Sequence, residues 1–116
     1  MTARRLRLVL THQVLQQLSD LQNSIASISG SNATARNYLR ALMDYIEQIP
    51  DFPLRGQLFA QHHPGMRIIG FRKVLLIAFI VTHDSVVILS ILSTRRSRLT
   101  LEEALTQALE SFQQPH

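Results

Sequence analysis

The chain has 116 residues, a length that fits one domain, so residues 1–116 are predicted to fold as a single unit. With 46% hydrophobic residues and a mean hydropathy of +0.07, it is too apolar to be a disordered chain. It carries 12 basic and 8 acidic side chains, a formal net charge of +4, and Lys73 is the single cation that is not arginine. The absence of cysteine excludes disulfide frameworks, zinc ribbons, iron–sulfur clusters and cysteine nucleophiles.

One long apolar stretch, residues 74–92, raises the question of a membrane span. The polar sequence Thr82-His83-Asp84-Ser85 interrupts it near its midpoint, and a charged residue at the centre of a bilayer costs about 2.5–3.5 kcal/mol on insertion scales. Two apolar runs with a polar break are better explained as a buried β-hairpin. At the start of the chain, the apolar run at residues 8–10 is too short for the hydrophobic region of a signal peptide. The protein is therefore predicted to be cytoplasmic.

The first half of the chain shows one short strand followed by two amphipathic helices. Leu6, Leu8 and Leu10 alternate with other residues, as they do in a strand with one apolar face. The apolar period then becomes helical, and the segment Ser29-Gly30-Ser31-Asn32 separates two such helices. The second helix ends before Pro50, which cannot continue it. A break this short predicts an antiparallel helical hairpin.

Three strands are predicted in the second half, after an ordered connection over residues 50–66. These strands span residues 67–71, 74–81 and 86–92. The middle strand is an uninterrupted apolar run, typical of a central strand that is covered on both faces. We expect the first strand of the chain to join the antiparallel meander of these three, with the helical hairpin on one face.

A final helix is predicted over about residues 100–113. Thr100 and Glu103 have the spacing of a capping box, in which the threonine precedes the helix. Together, the elements predict an α+β fold with an N-terminal strand, a helical hairpin, a three-stranded antiparallel meander and a C-terminal helix.

Five short motifs follow one another along the chain. They are Thr11–Leu18, Ala35–Leu42, Phe52-Pro53-x-x-Gly56, Gly65-Met66-Arg67, and Ile88–Leu92 followed by Arg95-Arg96. In this order and spacing they resemble the ParE/RelE family of type II toxin–antitoxin toxins, over residues 8–96. The resemblance implies the toxin fold, a neutralising antitoxin as partner and no cofactor.

Several positions depart from the pattern of that family. Gln17 stands where the family usually has Asp, and Ser90 stands where its last strand usually has Arg. Phe79-Ile80 occupy the place of an aromatic residue followed by Arg, and Ser93-Thr94 occupy the place of a His-Gly pair. These replacements leave open a divergent target or a weakened activity.

One branch of the family, RelE, consists of ribosome-dependent mRNA endoribonucleases. Their reaction needs cations that stabilise the charge on phosphorus and a group that transfers the proton of the 2′-hydroxyl. RelE-type enzymes carry a Tyr in the C-terminal segment and Lys residues before the meander, whereas this chain has no Tyr after residue 45 and no Lys before residue 73. Proton transfer would then fall to one of His62, His63 and His83. For a nuclease, the candidate catalytic residues are Arg72 and Arg96, which by resemblance lie closest to the family's phosphate-contacting positions, together with His63 for proton transfer.

The other branch, ParE, resembles this chain more closely, because its members have no convincing acid–base set. The resemblance implies a toxin that binds and poisons DNA gyrase, which needs a recognition surface rather than a catalytic site. Exposed arginines suit a complex of acidic protein and DNA, although each one alone is equally well explained as solvated surface. The candidate target-binding residues are Arg67, Arg72, Lys73, Arg95, Arg96 and Arg98, which could share one edge of the meander.

The leading hypothesis is thus a gyrase-binding toxin that performs no chemistry itself. A RelE-type endoribonuclease is the first alternative, and an inactive remnant that only binds an antitoxin is the second. The stretch containing Arg95, Arg96 and Arg98 is the strongest candidate for target binding.

Two apolar helix faces carry residues with alternative interpretations. Leu105, Leu109 and Phe112 on the final helix are expected to pack within the domain, and they are also the candidate antitoxin-binding residues, through a helix-in-groove or added-strand mode. Tyr38 and Tyr45 lie seven residues apart on the second helix and are predicted to belong to the core, with a stacking platform for bases as the alternative.

The histidines do not predict a metal site. His62 and His63 are adjacent, and no acidic or cysteine partner lies at helical spacing from them. Asp84 beside His83 is explained by the chemistry of a hairpin turn. No metal and no cofactor is predicted.

Overall fold

The predicted α+β fold is confirmed by a computed structural model, which describes residues 5–59, 63–95 and 98–113, the last range by its backbone alone at 98–100. The elements are β1 (Arg7–Leu10), α1 (His12–Ser29), α2 (Asn32–Gln48), a 3₁₀ turn (Ile49–Asp51), β2 (Gln57–Leu58), β3 (Met66–Phe71), β4 (Leu75–Val81), β5 (Ser85–Ser93) and α3 (Arg98–Gln113). Residues 75–93 thus form two strands, and none of the described helices is long and apolar enough to cross a membrane.

The five strands form one sheet in the order β1-β5-β4-β3-β2. The pairs β2–β3, β3–β4 and β4–β5 are antiparallel, as the predicted meander requires. The first strand joins the sheet beside β5, and it runs parallel to β5, with Leu8 opposite Val86 and Leu10 opposite Ile88. The sequence does not predict this direction, nor does it predict β2, because two residues are too few to show a period of two.

The helical hairpin begins and reverses at polar caps. Thr11 precedes α1, and its Oγ1 donates to the carbonyl oxygen of Ile88 at 3.0 Å, which ties the start of the helix to β5. Gly30 ends α1 in the left-handed region with φ 70°. Ser31 then caps α2 by accepting a hydrogen bond from the Thr34 N–H at 3.1 Å. The predicted break between the helices is confirmed.

The sheet is covered on both faces. The helical hairpin and the strands share one cluster of buried residues, which comprises Val14, Leu42, Ile46, Ile49, Ile69, Phe71, Leu75, Ile77, Phe79, Val86, Ile88 and Ile91. On the opposite face, α3 packs Leu105, Ala108 and Leu109 against β3, β4 and β5. The central strands are therefore buried on both sides, as their continuous apolar sequences predict.

Helix α3 starts earlier than predicted. It begins at Arg98, so Thr100 lies within its first turn instead of preceding the helix, and the predicted capping box is wrong. Nothing between residues 98 and 100 opposes a helix, since arginine and leucine both favour it. The predicted packing of α3 within the domain is confirmed, because Leu105 is fully buried and Leu109 is nearly so.

Strand β5 contains an irregularity that α1 stabilises. Ala78 of β4 lies opposite Ser90, but the next residue of β4 lies opposite Ile88, so β5 has one extra residue at this point. Gln17 of α1 reaches this bulge. Its Oε1 accepts the Ile91 N–H at 2.7 Å, and its Nε2 donates to the buried Ser90 hydroxyl at 3.1 Å. The bulge thereby keeps its polar groups hydrogen-bonded inside the protein.

Replacing Gln17 by Leu should lower the free energy of unfolding by about 1–3 kcal/mol, because it removes the acceptor of a buried N–H and a partner of a buried hydroxyl. Chemical denaturation would measure the loss. Gln16→Leu on the exposed side of the same helix is the control, and it should change stability by less than about 0.5 kcal/mol. Equal effects of the two substitutions would contradict a specific role for Gln17.

The turn before β2 requires glycine for two reasons. Gly56 has φ 79°, and a Cβ there would collide with the backbone carbonyl of Ile68. Gly30 has a similar φ of 70°, but a Cβ there would meet nothing within 4 Å. Gly30→Ala therefore adds only backbone strain, about 1 kcal/mol, whereas Gly56→Ala should destabilise the protein by more than this. Thermal unfolding of the two variants would test the difference, and similar losses would argue against the collision.

Candidate target-binding site

Two cations form the tight turn between β3 and β4. Arg72 has φ 51° and Lys73 has φ 61°, and the Val74 N–H donates to the Phe71 carbonyl at 3.2 Å across the turn. Phe71 lies opposite Leu75, so the connecting loop comprises residues 72–74. Positive φ at both central positions of the four-residue turn 71–74 is characteristic of a type I′ turn, for which Asn-Gly is the favoured central sequence. A side chain other than glycine in the left-handed region costs about 1–3 kcal/mol. The turn is therefore backbone-strained at two adjacent cations.

The end of β5 lies against this turn. The Thr94 N–H donates to the Val74 carbonyl at 2.9 Å, and the Thr94 hydroxyl donates to the Lys73 carbonyl at 3.1 Å. Arg95 follows directly, and its side chain is exposed, as are those of Arg72 and Lys73. We call the three residues Arg72, Lys73 and Arg95 the basic edge. Three of the predicted target-binding residues are thus brought together.

Aromatic rings position the Arg72 side chain. Its guanidinium carbon lies 5.4 Å from the ring centroid of Tyr38 and 5.1 Å from that of Phe71, within the range of a cation–π contact. Tyr45 also packs against Phe71, with its ring centroid 5.2 Å from that of Phe71, and its hydroxyl donates to the Gly70 carbonyl at 2.9 Å. Both tyrosines are half-buried at the border of the core, as predicted.

Arg67 does not share the basic edge. It lies near the start of β3, a strand that spans about 17 Å and reaches Arg72 only beyond its other end. Its Nη1 donates to the Leu54 carbonyl at 2.9 Å, so the side chain supports the turn before β2. The expectation that all six predicted cations share one edge is wrong for this residue. Arg96 lies outside the described residues, and Arg98 is described only as the first residue of α3.

Two of the candidate proton-transfer groups, His63 and His83, lie at the opposite end of the sheet. His63 precedes β3, and its Nδ1 accepts the Gly65 N–H at 3.2 Å. His83 is in the β4–β5 turn, and His62 lies outside the described residues. The structure therefore does not bring His63 or His83 to Arg72, and the predicted nuclease set of Arg72 and His63 is not assembled.

Asp84 belongs to the same turn as His83. Hydrogen bonds from the hydroxyls of Ser85 at 3.0 Å and Thr82 at 3.1 Å lower the pKa of the Asp84 carboxyl. His83 is a more distant neighbour, with 3.8 Å between its Nε2 and the carboxylate. The prediction of turn chemistry is confirmed. Over the described parts of the chain, no group of three His, Asp or Glu side chains is arranged to hold a metal ion.

The charges of the basic edge are not neutralised by neighbouring acids in the described ranges. Among the described residues, the ion pairs are Arg5–Asp51, at 3.1 Å, and His83–Asp84, and both lie at the end of the sheet away from the basic edge. The cations of the basic edge are thus available to a negatively charged partner.

Comparison with known proteins identifies the family. The family model described as "ParE toxin of type II toxin-antitoxin system, parDE" matches residues 8–98, most of the chain. This chain belongs to the ParE toxin family. It is similar in fold to a solved structure titled "Chromosomal ParDE TA system from P. aeruginosa", with a TM-score of 0.67 and 15% sequence identity over 78% of this chain and 98% of that chain. No curated protein sequence matches it. The predicted placement in the ParE branch is confirmed.

The motifs that connect this chain to the ParE family support the scaffold. Thr11 caps α1, Gly56 permits the turn before β2, and Arg67 holds that turn through backbone carbonyls. At Gly65, a Cβ would lie 2.6 Å from the carbonyl oxygen of Val81. None of these four residues belongs to the basic edge. Of the five motifs, only the last, which ends in Arg95-Arg96, includes a residue of that edge.

Sequence reasoning missed the residues that position the basic edge. Thr94 and Phe71 are not among the predicted site residues, although both contact the β3–β4 turn directly. The available signal is the dipeptide Arg72-Lys73 between two apolar strands, since a two-residue connection of this kind predicts a hairpin turn. It lacks the Asn-Gly that normally marks such a turn.

Replacing Lys73 by Gly should raise the free energy of unfolding by about 0.5–1 kcal/mol, because glycine adopts φ 61° without a steric cost. Lys73→Ala is the matched control, since it removes the same charge and keeps a Cβ in the left-handed region. It should not stabilise the protein. If alanine and glycine raised the midpoint of thermal unfolding equally, charge repulsion rather than backbone strain would be the cause.

Proposed function

We propose that this ParE-family toxin inhibits DNA gyrase, that it uses the basic edge to bind its target, and that a cognate antitoxin neutralises it. The observation that carries the proposal is the cluster of exposed, unneutralised cations at the β3–β4 turn and the end of β5. A protein that poisons a complex of acidic protein and DNA needs such a surface. It needs no catalytic group of its own. His63 and His83 lie at the far end of the sheet, so neither provides a proton-transfer group beside Arg72.

The antitoxin, in this proposal, docks away from the basic edge. Of the three candidate residues on α3, Leu105 and Leu109 are buried against the sheet, whereas Phe112 is 43% exposed. Phe112 borders a groove of about 540 Å³ beside β1 and the start of α1, which also includes Val9 and His12. Strand β1 forms one edge of the sheet and could accept an added strand there. Target and antitoxin would then contact different ends of the molecule.

The proposal is tested by producing the chain alone in a bacterium and by adding the purified protein to a gyrase supercoiling assay. Growth should stop and supercoiling should fall. Arg72→Gln combined with Arg95→Gln should weaken inhibition at least about tenfold, because it removes two charged donors. Binding to the antitoxin should be unchanged, which also reports that the variant is folded.

The matched control is Arg5→Gln combined with Arg7→Gln, which removes two exposed charges at the opposite end of the sheet. It should inhibit gyrase like the unchanged protein. Full inhibition by the Arg72 and Arg95 variant would exclude the basic edge as the target-binding surface. Growth arrest with normal supercoiling and codon-positioned cuts in mRNA would favour the endoribonuclease, and no growth arrest would favour the inactive remnant.

A further inference from the structure

The β3–β4 turn retains two cations at positions where they destabilise the fold. Both residues have positive φ, and an Asn-Gly pair would fit the same turn with less strain. Strained backbone of this kind is concentrated at functional sites, where the position of a side chain matters more than its contribution to stability. The turn therefore points to a ligand for Arg72 and Lys73 themselves.

The side chain of Arg72 is preorganised to bind such a ligand. Its guanidinium lies over Tyr38 and Phe71, which restricts the side chain before binding. Within the described residues, no acceptor forms a hydrogen bond with its N–H groups, so these donors are available. The aromatic rings contact the face of the planar guanidinium, and its N–H groups can donate to two oxygens of one anion. Because the side chain is already restricted, binding of that anion costs less conformational entropy than it would for an unrestricted arginine.

The surroundings of the basic edge distinguish between two kinds of anionic partner. Protein–protein interfaces have an apolar centre from which charged residues are depleted, whereas interfaces with nucleic acid are polar and strongly positive. Seven large apolar side chains of the described residues are exposed: Leu15, Ile28, Phe52, Leu54, Leu58, Val74 and Phe112. Of these, only Val74 belongs to the turn or to the end of β5. The basic edge thus has the composition of a phosphate-binding surface.

We propose that the basic edge binds the phosphate backbone of DNA directly. The inference rests on the proposed function in one respect, since it states which part of a gyrase–DNA complex the edge contacts. Arg72 supplies two parallel hydrogen bonds to one phosphate, while Lys73 and Arg95 attract neighbouring phosphates as point charges. No base edge is read, so binding is independent of DNA sequence.

Fluorescence anisotropy of a short labelled DNA duplex with the purified full chain, in the absence of gyrase, tests this inference. If three phosphates are contacted, the logarithm of the binding constant should fall with the logarithm of salt concentration with a slope of about −2.7. Arg72→Asn combined with Lys73→Gly should reduce the magnitude of the slope by about 1.8 and weaken binding at low salt. Because this variant carries the favoured type I′ sequence, its unfolding temperature should not fall, and lost binding cannot be attributed to unfolding.

The control is again Arg5→Gln with Arg7→Gln, which changes the net charge equally and should keep the slope. Equal losses in the two double variants would overturn the inference, because they would show attraction by net charge alone. Failure of the unchanged protein to bind the duplex at low salt would also overturn the inference. If the Arg72 and Lys73 variant then lost binding to gyrase, the basic edge would be assigned to an acidic protein surface, and the proposed function would be preserved. Edge-dependent duplex binding without inhibition of supercoiling would support the inference and reject the proposed function.

Discussion

The bulge in strand β5, with its hydrogen bonds to Gln17, is the local feature on which the packing of both sheet faces depends. Eight of the nine residues of β5 are buried, and the strand pairs with β1 on one side and β4 on the other. The extra residue of the bulge, Leu89, shifts the alternation of side chains, so that Ile88 and Ile91 both face the helical hairpin and Leu92 faces α3. Without a bulge, the residues after it would point to the wrong faces. Gln17 makes this shift tolerable because it accepts the Ile91 N–H inside the protein.

The same register determines the geometry of the basic edge. Beyond the bulge, β5 continues to Ser93, and Thr94 then hydrogen-bonds to Lys73 and Val74 in the β3–β4 turn. A slip of one residue in β5 would move Thr94 away from these carbonyls and Arg95 away from the turn. A polar contact in the interior thus fixes the relative position of cations that are separated by more than twenty residues in sequence. The positions of these exposed cations are well defined because the register of the buried strand β5 is fixed.

The sequence predicts those features that are expressed in local patterns. Gly30 and Ser31 mark the reversal between the helices, and the apolar runs mark β4 and β5, because turn chemistry and burial are visible in neighbouring residues. The parallel pairing of β1 and the bulge are not predicted, since both depend on how distant segments meet. The same limit separates Arg67 from the basic edge: its sequence shows that it begins a strand, but not that this end of the strand lies about 17 Å from the β3–β4 turn.

Two of the departures from the family pattern, Gln17 and Ser90, contact each other and are therefore best considered together. Gln17 and Ser90 stand where the resemblance implies an Asp and an Arg, and in the structure their side chains form a hydrogen bond at 3.1 Å. An Asp and an Arg at these positions would carry opposite charges, whereas the Gln17–Ser90 pair is neutral and keeps its polar groups hydrogen-bonded. Protein interiors tolerate such a pair because no charge is left buried and alone. The two departures therefore amount to one compensated change in the scaffold. They lie apart from the basic edge, whose three cations remain exposed.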